Sequence, residues 1–306
     1  MTSLLPVMDF PSDTFFTVAP EWEWLVVFYF FVGGLAGGAS FLAAMMDLLG
    51  TTEDRPVARV GHLLAAPLMA VGGVLLLIDL NRPERFWHMF IQSETGWPMF
   101  KSWSPISFGA WFVGIYSIVA GIVFIGVLAE IGILPRRLDI LHLGSSFGEF
   151  LTLMSGLFGV LVAGYTGVLL ATTNRPLWSD TVWIGLLFLL SGVSAAAGAM
   201  ILLTWRRSDK RSIHWLSRMD AWSSIFELAV IGLIGFTIGS VVWEVFNNGW
   251  GIALVLGVIL AGILVPLFLH WRPRSLGALS LPSAAALVIV GSFILRAVVV
   301  MASEGA

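Results

Sequence analysis

The stretch YTGVLLATTNRPLWSD, Tyr165 to Asp180, decides how this chain is read. It begins inside an apolar run and leaves it through Asn174, Arg175, Pro176 and Trp178. Tyr165 and Arg175 stand about three helical turns apart, roughly 15 Å along a regular helix axis. Pro176 limits how far a helix can continue and biases Arg175 toward extended backbone. Trp178 has the amphipathic ring expected at headgroup level. The pattern predicts a transmembrane helix ending in a structured cap, with a phenol below it and a cation held at the membrane surface.

Composition carries that reading to the whole chain. Of 306 residues, 58% are hydrophobic and 11% charged, and the mean hydropathy is +0.93. Soluble domains carry about 25% charged residues. The expected fold is therefore an all-α integral membrane protein, one membrane domain over residues 1–306. Eight helices are expected, at 24–49, 57–80, 107–131, 146–171, 181–204, 221–243, 251–271 and 282–302. Each is about the length that crosses ~30 Å of hydrocarbon. Residues 1–20 form an acidic segment with no Lys or Arg, so the first apolar run is expected to be retained rather than cleaved as a signal peptide.

Basic residues set the expected orientation. Arg55, Arg59, Arg136, Arg137, Arg206, Arg207, Lys210, Arg211, Arg218, Arg272 and Arg274 flank connections 1–2, 3–4, 5–6 and 7–8; the opposite connections hold Arg82, Arg85, Lys101 and Arg175. Eleven against four places both termini, and the Asn174–Asp180 cap, outside. Helix 1 contains GGLAGGAS (Gly33–Ser40) and helix 5 contains SGVSAAAG (Ser191–Gly198). Such small residues let helices approach closely. Their places suggest two four-helix bundles in parallel repeat, 24–171 and 181–302, although small residues are common in any membrane bundle.

Several chemistries are excluded or disfavoured. Net charge −3 gives no case for nucleic acid. Cysteine is absent, which removes thiolate metal sites, iron–sulfur ligation and disulfides from this chain. His62, His88, His142, His214 and His270 lie in loops or near helix ends, with no evident axial pair for a b-type haem. No nucleotide loop, zinc motif or nucleophile elbow is present, and no metal site is expected.

The ionisable residues fall into two groups. Asp47, Glu130, Glu149, Asp220 and Glu227 lie in the inner halves, with Glu227 about 10 Å from the inner end of its expected helix. Asp47, Glu149, Asp220 and Glu227 are candidates for a proton path centred on Glu227; structural pairing with inner arginines is the competing reading. Tyr29, Asp79, Tyr165 and Arg296 lie toward the outer halves and could line one pocket, or anchor separately at the interface, Arg296 by snorkelling. The outer connection 81–106, NRPERFWHMFIQSETGWPMFKSWSPI, is long enough to be functional. Its Arg82, Arg85, Trp87 and His88, with Trp178, suit docking of a partner, and each Trp singly suits an interfacial belt.

DLNRPERFWH (Asp79–His88), SPISFGAW (Ser104–Trp111), YTGVLLATTNRPLW, SGVSAAAG and the Asp220/Glu227 helix resemble the NrfD/PsrC family, the membrane subunits of the polysulfide reductase type. The resemblance runs through all eight helices in order. It implies a subunit of a prokaryotic cytoplasmic membrane that exchanges electrons with menaquinone or ubiquinone and holds no haem or iron–sulfur cluster of its own. It further implies a ferredoxin-like iron–sulfur partner on the outer loops, and a molybdopterin or multihaem catalytic subunit beyond. Tyr165 matches the tyrosine beside the family's quinone site. Tyr29, Asp79, Asn174, Arg175 and Arg296 complete the expected quinone pocket, with Asn174–Trp178 as its roof. Asn81 stands where many relatives have Gly, and LRAVVVMAS departs from the usual end of the last helix. Two other functions are open on the residues alone: a secondary transporter, disfavoured by a mid-membrane poor in polar groups and by the lack of paired broken helices, and a passive anchor without a quinone site.

Overall fold

The computed structural model describes residues 22, 24–80, 82–135, 144–272 and 277–304. Expectations for residues 1–20, Asn81, Arg136, Arg137, His142 and Arg274 lie outside the described residues. Among the described residues, eight helices are long and apolar enough to cross a membrane: α1 Trp24–Leu49, α2 Arg55–Asp79, α3 Pro105–Glu130, α4 Ser146–Ala171, α5 Ile184–Thr204, α6 Lys210–Ile238, α7 Gly249–Trp271 and α8 Ser280–Glu304. The chain is a multi-pass membrane protein. A short extended pairing, one bridge between Ile91 and Pro98, lies in the connection after α2.

Helix starts follow their caps. Ser104 Oγ accepts from Ser107 N, with Pro105 in the first helical position, and Ser145 Oγ accepts from Gly148 N at 2.9 Å. Asp209 caps α6 through Arg211 N at 2.7 Å, so that helix begins at Lys210, not at 221. Its first turns, KRSIHWLSRMD, are amphipathic and basic, which hid them from a search for apolar runs. Gly239, at φ 58°, ends α6 in a conformation that glycine adopts without penalty. A short helix, Val241–Phe246, then takes the residues expected to extend it. In α7, residues 253–264 widen to π-helical bonding just before Pro266. Proline lacks the N–H that an α-helical turn would direct at Gly262.

α1 is the hub, packing on α2, α4, α5 and α8. Its small residues allow this. A Cβ on Gly37 would sit 2.2 Å from Gly159 O, and one on Gly38 would sit 2.5 Å from Gly192 O. α5 packs on α1, α4, α6 and α8, so no gap separates the first four helices from the last four. Tyr116 ties α3 into this core, donating to Ala36 O at 2.7 Å and lying 2.8 Å from Ser40 Oγ.

The arginine-rich end, here the basic end, is closed by ions. Arg55 pairs with Asp47 and Glu130, and Arg59 Nε donates to Glu130 at 2.9 Å. His62 Nε2 lies 2.8 Å from Asp47. In the α1–α2 turn, Asp54 accepts from Thr51 N at 2.8 Å and from Ser212 Oγ on α6 at 2.6 Å. Burial opposes ionisation of Asp54, but these bonds and nearby Arg211 outweigh it and hold the carboxyl below its ordinary range. The stability it adds is full above the ordinary carboxyl range and is lost as pH falls through the lowered one.

Gly38→Val should force α1 from α5 and cost about 1–3 kcal/mol, read as a lower melting temperature in detergent. Gly121→Ala, where an added Cβ meets nothing within 4 Å, should leave melting unchanged or raise it. Equal melting of the two variants would contradict the packing.

Candidate functional site

Two polar systems occupy the bundle. The first is at the end that carries the 83–103 connection, here the capped end. Tyr29 of α1 and Tyr165 of α4 face one cavity of about 400 Å³. Leu76 and Leu77 of α2, its C-cap Leu80, and Ile106 and Val113 of α3 form apolar walls, and Phe86, Met89 and Phe90 contribute from the 3₁₀ turn Pro83–Met89 and its C-cap. Tyr165 Oη donates to Pro105 O at 2.5 Å. Gly109 makes this possible, since a Cβ there would lie 2.1 Å from Tyr165 Cζ. Among the described residues Tyr29 Oη takes no protein hydrogen bond. The cavity therefore offers one committed phenol and one open phenol against otherwise apolar walls.

The other residues expected in this pocket lie elsewhere. Asp79 is exposed at the end of α2, and Asn174 is exposed in the cap. Arg175 is buried but does not line the cavity. The cap is a clamp onto α8, not a roof. Trp178 Nε1 donates to Val299 O at 2.8 Å, and Ser303 Oγ donates to Pro176 O at 2.6 Å. Leu177, at φ 69°, pays left-handed strain in this turn while its N–H donates to Asp180 at 2.9 Å. Trp178, expected on the docking surface, is 0% exposed and packs on Trp22 at 5.4 Å. Its indole finds a carbonyl inside the protein, so it has no need of the headgroup layer. Arg82, Arg85 and Trp87 are exposed, and His88 lies half-buried against the Trp87 ring.

The second system crosses the bundle interior. Arg296 of α8 is 0% exposed. Its guanidinium donates to Phe30 O at 3.0 Å, Phe188 O at 3.2 Å, Ser292 O at 2.9 Å and Ser292 Oγ at 2.6 Å, and reaches Ser191 Oγ at 3.3 Å. Gly34 leaves it room, because a Cβ there would come within 2.5 Å of Nη2. Arg296 thus neither joins the cavity nor snorkels. Glu227 of α6 is buried near Arg296 and Ser191, where the guanidinium attracts a carboxylate. Two turns away on the same helix, Asp220 accepts from Ser194 Oγ at 2.5 Å, and Ser194 lies 3.2 Å from Ser224. Asp220 Oδ2 is 3.0 Å from His270 Nε2 on α7, close but not aligned as a hydrogen bond.

The early start of α6 explains why the interior is richer in polar groups than expected. Asp220 lies about 15 Å and Glu227 about 25 Å from that start along the helix, so Asp220 is no helix-end acid. Asp47 and Glu149 do not join them. Asp47 bonds to Arg55 and His62 of α2, and Glu149 is exposed in the first turn of α4.

Residues 15–304 match the family described as "Polysulphide reductase, NrfD". The chain belongs to the NrfD family. It is 27% identical to "Protein NrfD" of Escherichia coli (strain K12), over 92% of this chain and 95% of that protein. It is 26% identical to a polysulfide reductase polypeptide of Wolinella succinogenes, over 70% of this chain and 68% of that protein. A shorter match, 27% identical over 38% of this chain and 24% of the relative, is to a selenate reductase subunit of Mesobacillus selenatarsenatis. NrfD-type chains are membrane subunits of reductase complexes.

In this NrfD-type subunit, Ser191, Ser194, Ser292, His270 and Gly109 were missed as site residues. Ser191 and Ser194 lie in SGVSAAAG, whose small residues point to close packing and not to hydrogen bonding. Gly109 carried no polar signal, and His270 read as a helix-end histidine.

Arg296→Ala should cost about 3–5 kcal/mol, because it leaves the buried carbonyls of Phe30, Phe188 and Ser292 without their donor and removes the cation near Glu227. Arg296→Ala with Glu227→Gln should cost less than the sum of the single changes. Melting of the three variants in detergent checks this, and strict additivity would deny the coupling.

Proposed function

We propose that this protein is the quinone-reactive membrane subunit of a respiratory oxidoreductase in a prokaryotic cytoplasmic membrane. It passes electrons between menaquinone or ubiquinone and a ferredoxin-like iron–sulfur subunit docked on the capped end. A molybdopterin or multihaem subunit would complete the complex. Both termini and the capped end would face outside. The observation that carries this reading is the apolar cavity with two phenols, closed in part by the 83–90 segment.

A quinone needs an apolar slot for its ring and few hydrogen-bonding groups for its oxygens. The residues fit that need. Tyr29, with its hydroxyl open, suits donation to a quinone carbonyl oxygen. Tyr165 already gives its proton to Pro105 O, so its oxygen is set to accept from the hydroxyl of a quinol. A quinol releases two electrons and two protons on oxidation. Phe86 and Phe90 bring the outer connection onto the cavity, and Arg82, Arg85, Trp87 and His88 present that connection's surface to an electron-transfer partner. Asp220, bonded to Ser194, and the buried Glu227 two turns on offer a route for protons toward the basic end.

A transporter would place its polar groups around a midplane cavity. Here Arg296 and Glu227 line neither the capped-end cavity nor the one at the basic end.

Tyr165→Phe should lower quinone-linked turnover about tenfold or more with the complex still assembled, measured in membranes with a soluble quinol analogue. Gly109→Ala should do the same by displacing the ring, and wild-type turnover in both would remove the cavity from the reaction. Glu227→Gln should impair proton movement in proteoliposomes more than quinol affinity. Unchanged coupling would remove Glu227 from the route.

A further inference from the structure

At the basic end a second cavity, of about 650 Å³, lies between the start of α6 and the ends of α7 and α8. Lys210, His214 and Arg218 line it at successive helical turns of α6, together with Ser208, Ser217 and His270. Those polar groups make it a place for water, unlike the almost wholly apolar cavity at the capped end. His270 lines this cavity yet keeps Nε2 buried, 3.0 Å from Asp220 Oδ2. One imidazole therefore touches both the cavity and the buried acid.

We infer that this cavity is an aqueous vestibule and that His270 exchanges protons between its water and Asp220. The inference rests on the proposed acid route through Asp220 and Glu227. Imidazole suits the task because it has two nitrogens: one binds a proton as the other gives one up. In the inward direction, an O–H bond of vestibule hydronium breaks and an N–H bond forms on the ring nitrogen turned away from Asp220. The Nε2–H bond then breaks and an O–H bond forms on Asp220. The ring returns to its starting form by tautomer exchange, and no electrons are transferred.

The surroundings favour a carrier over a fixed ion pair. Neither His270 Nε2 nor Asp220 Oδ2 has an aligned hydrogen bond, so the contact is not locked. Among the described residues, the charged and titratable groups facing the vestibule beside His270 are Lys210, His214 and Arg218 of α6, with Arg272 two residues along from His270; α8 contributes Leu281 and Ala284. These cations disfavour a standing imidazolium, while Asp220 favours its transient formation.

The absence of cysteine from the sequence gives a clean test of access. In native membranes, His270→Cys should react with a charged, membrane-impermeant thiol reagent applied at the basic-end face. Ser191→Cys, at a fully buried position, should not. Failure of His270→Cys to react would overturn the vestibule. In proteoliposomes of the whole complex, His270→Ala should slow proton translocation about tenfold or more. Added imidazole should restore it through the open cavity, and His270→Gln should stay slow. Fast translocation in His270→Ala, or no rescue by imidazole, would overturn the assignment. Asp220→Asn separates the two levels. If it is slow while His270→Ala is fast, only the His270 assignment falls; if Asp220→Asn is fast, the acid route falls with it.

Discussion

A guanidinium enclosed among transmembrane helices must find all its partners in protein, because the hydrocarbon offers none. Arg296 meets this constraint with carbonyls from α1, α5 and α8 and hydroxyls from α5 and α8. The constraint fixes three helices at once. Gly34 has to be glycine-sized for the guanidinium to lie against α1, and Ser191 and Ser292 have to be small and polar. The small-residue stretches of α1 and α5 thus do more than permit close packing. They shape a polar chamber that Glu227 borders from α6.

The two polar systems share α1. The side chain of Tyr29 faces the capped-end cavity, while the carbonyl of the next residue, Phe30, holds Arg296. A shift or rotation of α1 that changes one site must change the other. Tyr116 restrains such a shift by bonding to Ala36 from α3. Of the three tyrosines in the sequence, two meet the cavity and one holds the scaffold.

Much of the fold was legible because length and apolarity alone define a span, and all eight appeared near their expected places. The start of α6 was not, since KRSIHWLSRMD is helical but not apolar. A helix starting at 221 puts Asp220 at the membrane edge, whereas it is buried well inside. Tyr29 and Tyr165 were legible as a pair because few phenols occur and both fall toward the same end. Arg296 and the NRP cap were misplaced for a common reason. Sequence position gives the depth of a residue but not the face it presents, so residues at similar depth were grouped that in fact point into different chambers. Trp178 shows the same limit, since a tryptophan at interface depth can also turn inward to a backbone carbonyl.

On the proposed function, the choice of phenols at the cavity has a physical logic. A carboxylate in so apolar a wall would have to be neutralised or paired, whereas a phenol is neutral there and still donates or accepts a hydrogen bond. Neutral phenols orient a quinone but store no proton, so protons must be held by other groups. The acids that could hold them, Glu227 and Asp220, lie beyond Arg296 when followed from Tyr29 through Phe30. A fixed cation at that point repels a proton passing between the two systems. Exchange between cavity and acids then requires Arg296 to loosen its hold on α1 or on Ser191. On that reading, the residue that secures the interior packing also stands between the cavity and the acids.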